Sequence, residues 1–295
     1  MLLDPHHLSA LSAILRHGSF DAAAAELSVT PSAISQRIKA LEDRVGAALI
    51  HRGSPCIGTP AGLRIARHAE DIGLLEAKLA RELTLDEREG PTRVRIALPA
   101  DILATWFIDA MAQAGDLLFD LVIDDQDHSA EWLRRGEVSA AITVGGQAVT
   151  GCDSFALGAL RYLPTASPAF MDRWFSDGVS ANSLSLAPCL TFNSKDNLQK
   201  TWISKQIGRR LAPPTQFMPS TNGFVEAAIA GLGWGMNPES LARPTIVKGQ
   251  LCEVIPGAPL DLELTWQIER VLAPALAPLT KAVRRVAAQA LIITG

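Results

Sequence analysis

Residues 19–46, SFDAAAAELSVTPSAISQRIKALEDRVG, constrain the fold of this chain more tightly than any other stretch. Ala22 to Ala25 with Leu27 predict a compact helix whose small side chains let a neighbouring helix approach closely. Ser28-Val29-Thr30 reads as a tight turn, with Thr30 suited to an N-cap and Pro31 to the first helical position, where its missing N–H costs nothing. In the helix that follows, Ile34, Ile38, Leu41 and Val45 recur at helical spacing and give one apolar face. The opposite face carries Ser32, Ser35, Gln36, Arg37 and Lys39. Short donors and acceptors near a helix N-terminus suit base edges, and cations suit phosphates. Geometry alone leaves two readings open: a DNA-binding helix-turn-helix, or an amphipathic helical hairpin with a solvated polar face.

The identity of the residues separates the two. The pattern A-A-x-x-L-x-x-T-P-S-A-I-S-x-x-I-x-x-L-E resembles the N-terminal signature of LysR-type transcriptional regulators. It is carried here by Ala23, Ala24, Leu27, Thr30 to Ser35, Ile38, Leu41 and Glu42, and continued by Gly46 and Leu49. Ile50 stands where family members usually have phenylalanine, a change expected to affect packing only. The resemblance implies an α/β protein with an N-terminal winged helix-turn-helix, a long linker helix and a bilobal effector domain like that of periplasmic binding proteins. Thr30, Ser32, Ser35, Gln36, Arg37 and Lys39 are the expected DNA contacts, joined by Arg52 at the edge of the wing. For Arg52 a solvated turn arginine is the alternative.

Composition fits this reading, with one objection. A chain of 295 residues holds two domains, and 48% hydrophobic content supplies cores for both. No window has the 18 or so apolar residues that a membrane span needs. The first residues, MLLDPHHLSA, place Asp4 where a signal peptide would be basic, so a cytoplasmic protein is expected. Cys56, Cys152, Cys189 and Cys252 are far apart, which suggests buried free thiols rather than a zinc site or disulfide framework. The objection is the net charge of −4. Residues 1–60 balance Arg16, Arg37, Lys39, Arg44 and Arg52 against Asp4, Asp21, Glu26, Glu42 and Asp43. Local placement decides phosphate contact rather than the total, and a weakly charged module binds well only as a dimer or tetramer engaging several half-sites.

Asp4-Pro5 opens a first helix ahead of the two already described, and short strands flank Gly53-Ser54-Pro55 to form the wing. This module is expected over residues 1–59. From Thr59-Pro60 to about Glu89 one long helix is predicted, residues 60–89, with Ile65, Ile72, Leu75, Leu79 and Leu83 forming an apolar stripe. Such a stripe is too long for the small module to bury. A partner's equivalent helix would cover it, which makes it the candidate dimerisation element; packing on its own domain is the alternative. Residues 92–295 then alternate strands and helices: strands at Arg93–Leu98, Asp120–Ile123 and Ala140–Val144, later ones at Leu160–Ala166 and Leu262–Ile268, and a closing helix from Ala277. This pattern predicts parallel sheets covered by helices. The resemblance divides it into one lobe of about 92–161 and 266–295 and another of about 162–265.

Ligands of open α/β folds bind beyond the carboxyl ends of strands, and between two lobes they lie in the cleft. The loops there offer Asp101, Thr105 and Trp106, then Asp124 and Asp125, then Thr191 and Asn193, and lastly Ser220 and Asn222. Carboxylates favour a cationic group and a helix N-terminus an anionic one. An α-amino acid with a basic side chain has both. Asp101, Asp124 and Asp125 would take its cations, and Ser220 and Asn222 its carboxylate, while Trp106 would stack on its stem or guanidinium. For each aspartate a solvated strand-end role stays open, and for Trp106 a place in the lobe core. SFDAAA, VTPSAISQRIK, A-D-x-L-A-T-W and LRRGEV resemble the branch of the family that regulates lysine and arginine export or metabolism. The partners so implied are an operator in double-stranded DNA, lysine or arginine as effector, a second copy of the chain in a homodimer or homotetramer, and RNA polymerase. No cofactor, metal or catalytic residue is expected. Gly231-Leu232-Gly233-Trp234-Gly235 follows a helix and enters a strand, the wrong order for a dinucleotide loop. Asp124-Asp125 lacks an accompanying nucleophile–base pair. A solute-binding receptor would share the bilobal fold but has no use for residues 1–60.

Overall fold

The computed structural model describes residues 3–84, 92–124, 129–146 and 148–293. The N-terminal module packs α1 (Pro5–His17), α2 (Phe20–Glu26) and α3 (Pro31–Val45) around Leu11, Ile14, Ala24, Ile34, Ile38 and Leu41. Each helix starts at a side-chain cap: Asp4, Ser19 and Thr30 accept from His6, Ala22 and Ala33 amides respectively. α3 stops at Gly46, whose φ of 76° lies in the left-handed region that ends helices without steric cost. β1 (Ile50–His51) and β2 (Ile57–Gly58) pair antiparallel to form the wing.

The linker helix α4 (Pro60–Glu82) is capped by Thr59, whose hydroxyl accepts from the Gly62 amide and donates to the Ala48 carbonyl. It packs closely on the wing: a Cβ on Gly62 would stand 2.0 Å from the Leu49 carbonyl oxygen. The helix ends earlier than the expected Glu89. Leu83 caps it and Thr84 takes a positive φ of 53°, while 85–89 lie outside the described residues. Its stripe is also divided. Ile65 packs against the N-terminal module and Ile72 is half-buried, whereas Leu75, Leu79 and Leu83 remain 37%, 53% and 57% exposed. On the other side, Leu74 enters the core of the C-terminal domain and Arg67 bonds to Ser139. The alternative of packing on its own chain therefore holds for one face of the helix.

The C-terminal domain begins with β3 (Thr92–Leu98), α5 (Ala100–Ile102), a π turn (Leu103–Phe107) and α6 (Ile108–Ala112). It continues through β4 (Leu117–Ile123), α7 (Ser129–Arg134) and β5 (Ala140–Val144). The second lobe holds α8 (Pro168–Trp174), α9 (Ala181–Leu186), β7 (Cys189–Thr191), α10 (Leu198–Ile207), β8 (Thr215–Phe217) and α11 (Thr221–Ile229), then β9 (Gly235–Pro238), α12 (Glu239–Val247) and β10 (Cys252–Glu253). Two strands join the lobes: β6 (Cys152–Ala166) leaves the first and β11 (Leu260–Glu269) returns to it, before α13 (Ala277–Ala290) closes the chain. The main sheet has the order β10-β6-β11-β5-β3-β4, with β9 also on β6.

The expectation of parallel sheets holds only in part. β3 is parallel to β4 and β5, but β11 is antiparallel to β5 and β6, and β9 antiparallel to β6. Outgoing and returning crossovers that lie side by side must run in opposite directions. β6 also starts at Cys152 rather than Leu160, and Gly158, at φ 116°, sits where its pairing with β11 slips by a residue. α8 and α9 carry no helix signal picked out in the sequence. The exchange between lobes falls at Tyr162, which pairs with Leu260 of β11 and with Pro238 of β9.

Candidate functional site

Two regions bring chemistry to the surface. On the N-terminal module, Ser32, Gln36 and Lys39 are exposed and Ser35 and Arg37 half-buried along the free side of α3. The Thr30 hydroxyl is engaged as the cap, 3.2 Å from the Ala33 amide, so its first duty is to set the helix N-terminus. Arg52 stands over the Phe20 ring, 5.3 Å from its centroid, which holds the guanidinium against the start of α2. The acidic residues are mostly occupied by structure. Asp4 caps α1, and the Glu42 carboxylate accepts the Leu49 amide at 2.8 Å. Glu26 bonds to Arg16 and His17; burial acts to raise its pKa, but these two bonds carry it below the ordinary value. Among the described residues Arg37 and Lys39 make no ion pair, so their charge faces outward.

The second region is the cleft between the lobes, a cavity of about 40 Å³. From the first lobe it receives Asp101, at the start of α5, and Asp124, just past β4; from the second come Phe192, Lys195, Asp196 and Thr221. The Asp101 carboxylate accepts the Tyr162 hydroxyl and the Thr221 hydroxyl, each at 2.7 Å. It thus ties the first lobe to the crossover strand and to the first residue of α11. Burial raises its pKa, partly opposed by these two bonds, and burial likewise lifts Tyr162 well above its usual value, so the phenol stays protonated and donates. Among the described residues Asp101 makes no ion pair. Asp124 differs: its carboxylate accepts the Trp132 indole N–H at 2.8 Å and lies 3.6 Å from the Lys195 ammonium across the cleft. Asp196 accepts the Phe192 and Leu198 amides at 3.0 and 2.9 Å, bending the chain into α10.

The structure therefore brings Asp101 and Asp124 together as expected, and Asp125 lies outside the described residues. Other candidates sit elsewhere. The Thr105 hydroxyl bonds back to the Asp101 carbonyl at 2.6 Å, one turn along the helix, and does not line the cleft. Trp106 lies within the π turn as a core residue, 3% exposed and edge-on to Phe107. Thr191 is buried at the end of β7, and Asn193 accepts the Lys195 and Asp196 amides as a turn residue. Ser220 caps α11 through the Gly223 amide, which leaves Thr221 to reach the cleft while Asn222 faces solvent. Lys195, Asp196 and Thr221 escaped the sequence reading. Their one signal was position, each within three residues of a chosen strand-end residue. The glycine run 231–235 ends α11 and packs β9, where a Cβ on Gly235 would stand 2.4 Å from the Phe224 ring.

All four cysteines are free, with Cys56, Cys152 and Cys189 buried. Among the described residues no helix is long and apolar enough to cross a membrane, and no group of three or more His, Cys, Asp or Glu side chains is placed to hold a metal ion.

Known proteins with the same layout carry both regions. Residues 5–63 match the bacterial regulatory helix-turn-helix proteins of the lysR family, and residues 87–288 match the LysR substrate binding domain. The HTH-type transcriptional regulator LysG of Mycobacterium tuberculosis is 44% identical over 285 residues, covering 97% of this chain and 94% of that protein. The crystal structure of ArgP from Mycobacterium tuberculosis superposes with a TM-score of 0.80 at 43% identity, covering 100% of both chains. Full-length LysG of Corynebacterium glutamicum, solved with bound effector Arg, gives a TM-score of 0.66 at 34% identity and covers 98% of this chain and 99% of that one.

Proposed function

Because this chain belongs to the LysR family of bacterial transcriptional regulators, we propose that its interlobe cleft senses a basic amino acid, arginine or lysine, and reports it to the DNA-binding module. The chain is a DNA-binding regulator with an effector domain, not an enzyme. The observation that carries the effector class is Asp101, a carboxylate held between the lobes by two neutral hydroxyls. A carboxylate withdrawn from water is costly until a cation meets it, and a ligand ammonium or guanidinium supplies one. Asp124 and Asp196 add to the negative potential there against the ammonium of Lys195. The bound arginine of the Corynebacterium relative supports the same class. With about 40 Å³ free between the lobes, entry of an amino acid is expected to part them and let them reclose around it.

On the DNA side, Ser32, Ser35 and Gln36 read base edges while Arg37, Lys39 and Arg52 meet phosphates, with Thr30 fixing the helix end. Leu75, Leu79 and Leu83 form the exposed part of a stripe that a second copy covers, giving a homodimer or a dimer of dimers on a pseudo-palindromic operator. Ile65 and Ile72 support that helix from its other end. The workplace is the cytoplasm, the target an amino-acid exporter or metabolic gene, and RNA polymerase a further partner.

Thermal unfolding of the full chain with each of the twenty amino acids at millimolar concentration tests the effector. A site filled at ~100 times its dissociation constant stabilises by about 2.7 kcal/mol. A shift confined to arginine, lysine and close analogues supports the reading. A shift with another amino acid, or with none, removes it and leaves the family assignment intact.

A further inference from the structure

Among the described residues, the two carboxylates that the first lobe brings to the cleft are in different electrical states. Among the described residues Asp101 meets only hydroxyls, from Tyr162 and Thr221. Asp124 already has a cation of the same chain within reach, the Lys195 ammonium at 3.6 Å, reaching over from the second lobe. Lys195 is exposed, so this pair is solvent-screened and readily exchanged. The Trp132 indole holds the other Asp124 oxygen at 2.8 Å, so the carboxylate keeps its place when Lys195 leaves.

We propose that Lys195 is a specificity-determining residue that occupies Asp124 in place of the ligand's side-chain cation and must be displaced by it. This rests on the basic-amino-acid reading of the cleft. An amino acid with one cation meets Asp101 alone and leaves the Lys195–Asp124 pair intact. A dicationic amino acid satisfies both carboxylates, but the energy of its second contact is reduced by that of the pair it breaks. Lys195 therefore lowers affinity for arginine and lysine selectively, setting the concentration at which the regulator responds, and the same contact holds the lobes together before the ligand arrives.

The test is isothermal titration of the full-length protein and its Lys195→Met and Lys195→Arg variants with arginine, lysine and citrulline, the last being close in shape to arginine with no side-chain charge. Losing an exposed competitor should tighten arginine and lysine binding by about two- to five-fold in Lys195→Met. Lys195→Arg should stay near wild type, and citrulline affinity should be the same in all three. Three results overturn the proposal while sparing the effector class: arginine binding weakened in Lys195→Met, which would make Lys195 a ligand contact; arginine binding unchanged, which would make it a bystander; or an equal gain for citrulline, which would make it a latch without charge selectivity. Absence of arginine and lysine binding to wild type and both variants removes the effector reading, and this proposal with it.

Discussion

Asp101 gathers the chemistry of the cleft into one carboxylate, and its environment dictates how that chemistry depends on pH. Burial raises its pKa above the ordinary value in the folded protein. Between the unfolded and folded values the folded chain holds more protons, so the contribution of Asp101 to stability falls as pH rises through that interval. A cationic ligand pairs with the ionised form. Arginine affinity should therefore weaken as pH drops through the raised pKa, a trend measurable by titration at successive pH values. Asp101→Asn should remove the trend and cost roughly tenfold or more in affinity, as expected for loss of a charge-assisted contact. The same variant should melt higher than wild type without ligand at neutral pH, since no charge is then desolvated; a lower melting temperature would mean that the two hydroxyl bonds outweigh the burial cost. Asp101 and Asp124 were legible in the sequence because each follows a strand whose end sets its position. Thr221 was not, because choosing it over Ser220 and Asn222 requires knowing which residue caps α11.

Elements were legible where local chemistry sets their limits, and obscure where distant contacts do. α3 could be read from Thr30 to Gly46 because cap, proline, apolar spacing and terminal glycine agree. β6 could not, because Gly158 interrupts its pattern at a bulge whose reason lies elsewhere: a Cβ there would stand 2.7 Å from the Ile292 carbonyl oxygen of the C-terminal segment. Gly62 makes the parallel case for α4. Gly62→Ala would force its Cβ onto the Leu49 carbonyl, and the wing must shift to admit it. Overpacking of this kind costs about 1–3 kcal/mol, to be read from the midpoint of urea unfolding, and operator affinity should fall with it as the wing moves. An unchanged midpoint would show that the wing yields freely. Farther along, Leu79→Glu places a charge in the middle of the exposed stripe. Sedimentation should show dissociation of the dimer with the monomer still folded, and persistence of the oligomer would assign the interface to another surface.

At the scale of the molecule, α4 belongs to two bodies at once. Ala66 is part of the N-terminal core and Leu74 part of the C-terminal one, so the helix cannot rotate freely against either. Arg67 lies at the junction. Its buried guanidinium bonds to the Ser139 hydroxyl and pairs with Asp71 at 3.0 Å and Glu70 at 3.6 Å, carboxyls whose pKa values burial raises. Ser139 is itself fixed by main-chain bonds, donating to Arg95 of β3 and accepting from Glu269 of β11. β3 leads directly into Asp101, and β11 is one of the strands that join the lobes. On these contacts a change in lobe angle at the cleft is expected to arrive at Ser139 through two strands, and Arg67 to pass it to the helix that carries the DNA-reading module. By linkage, ligand and operator should then alter each other's affinity by a common factor. Arg67→Ala leaves two half-buried carboxylates without their cation, so it should cost about 3 kcal/mol of stability. Its more informative effect is on coupling. Operator affinity measured with and without saturating arginine should differ in wild type and converge in Arg67→Ala, while arginine affinity without DNA changes little. Lys78→Ala, which breaks the pair with Glu82 on the same helix, should keep the wild-type ratio. If Arg67→Ala keeps it too, the signal reaches α4 by another route, with the packing of Leu74 the next contact to test.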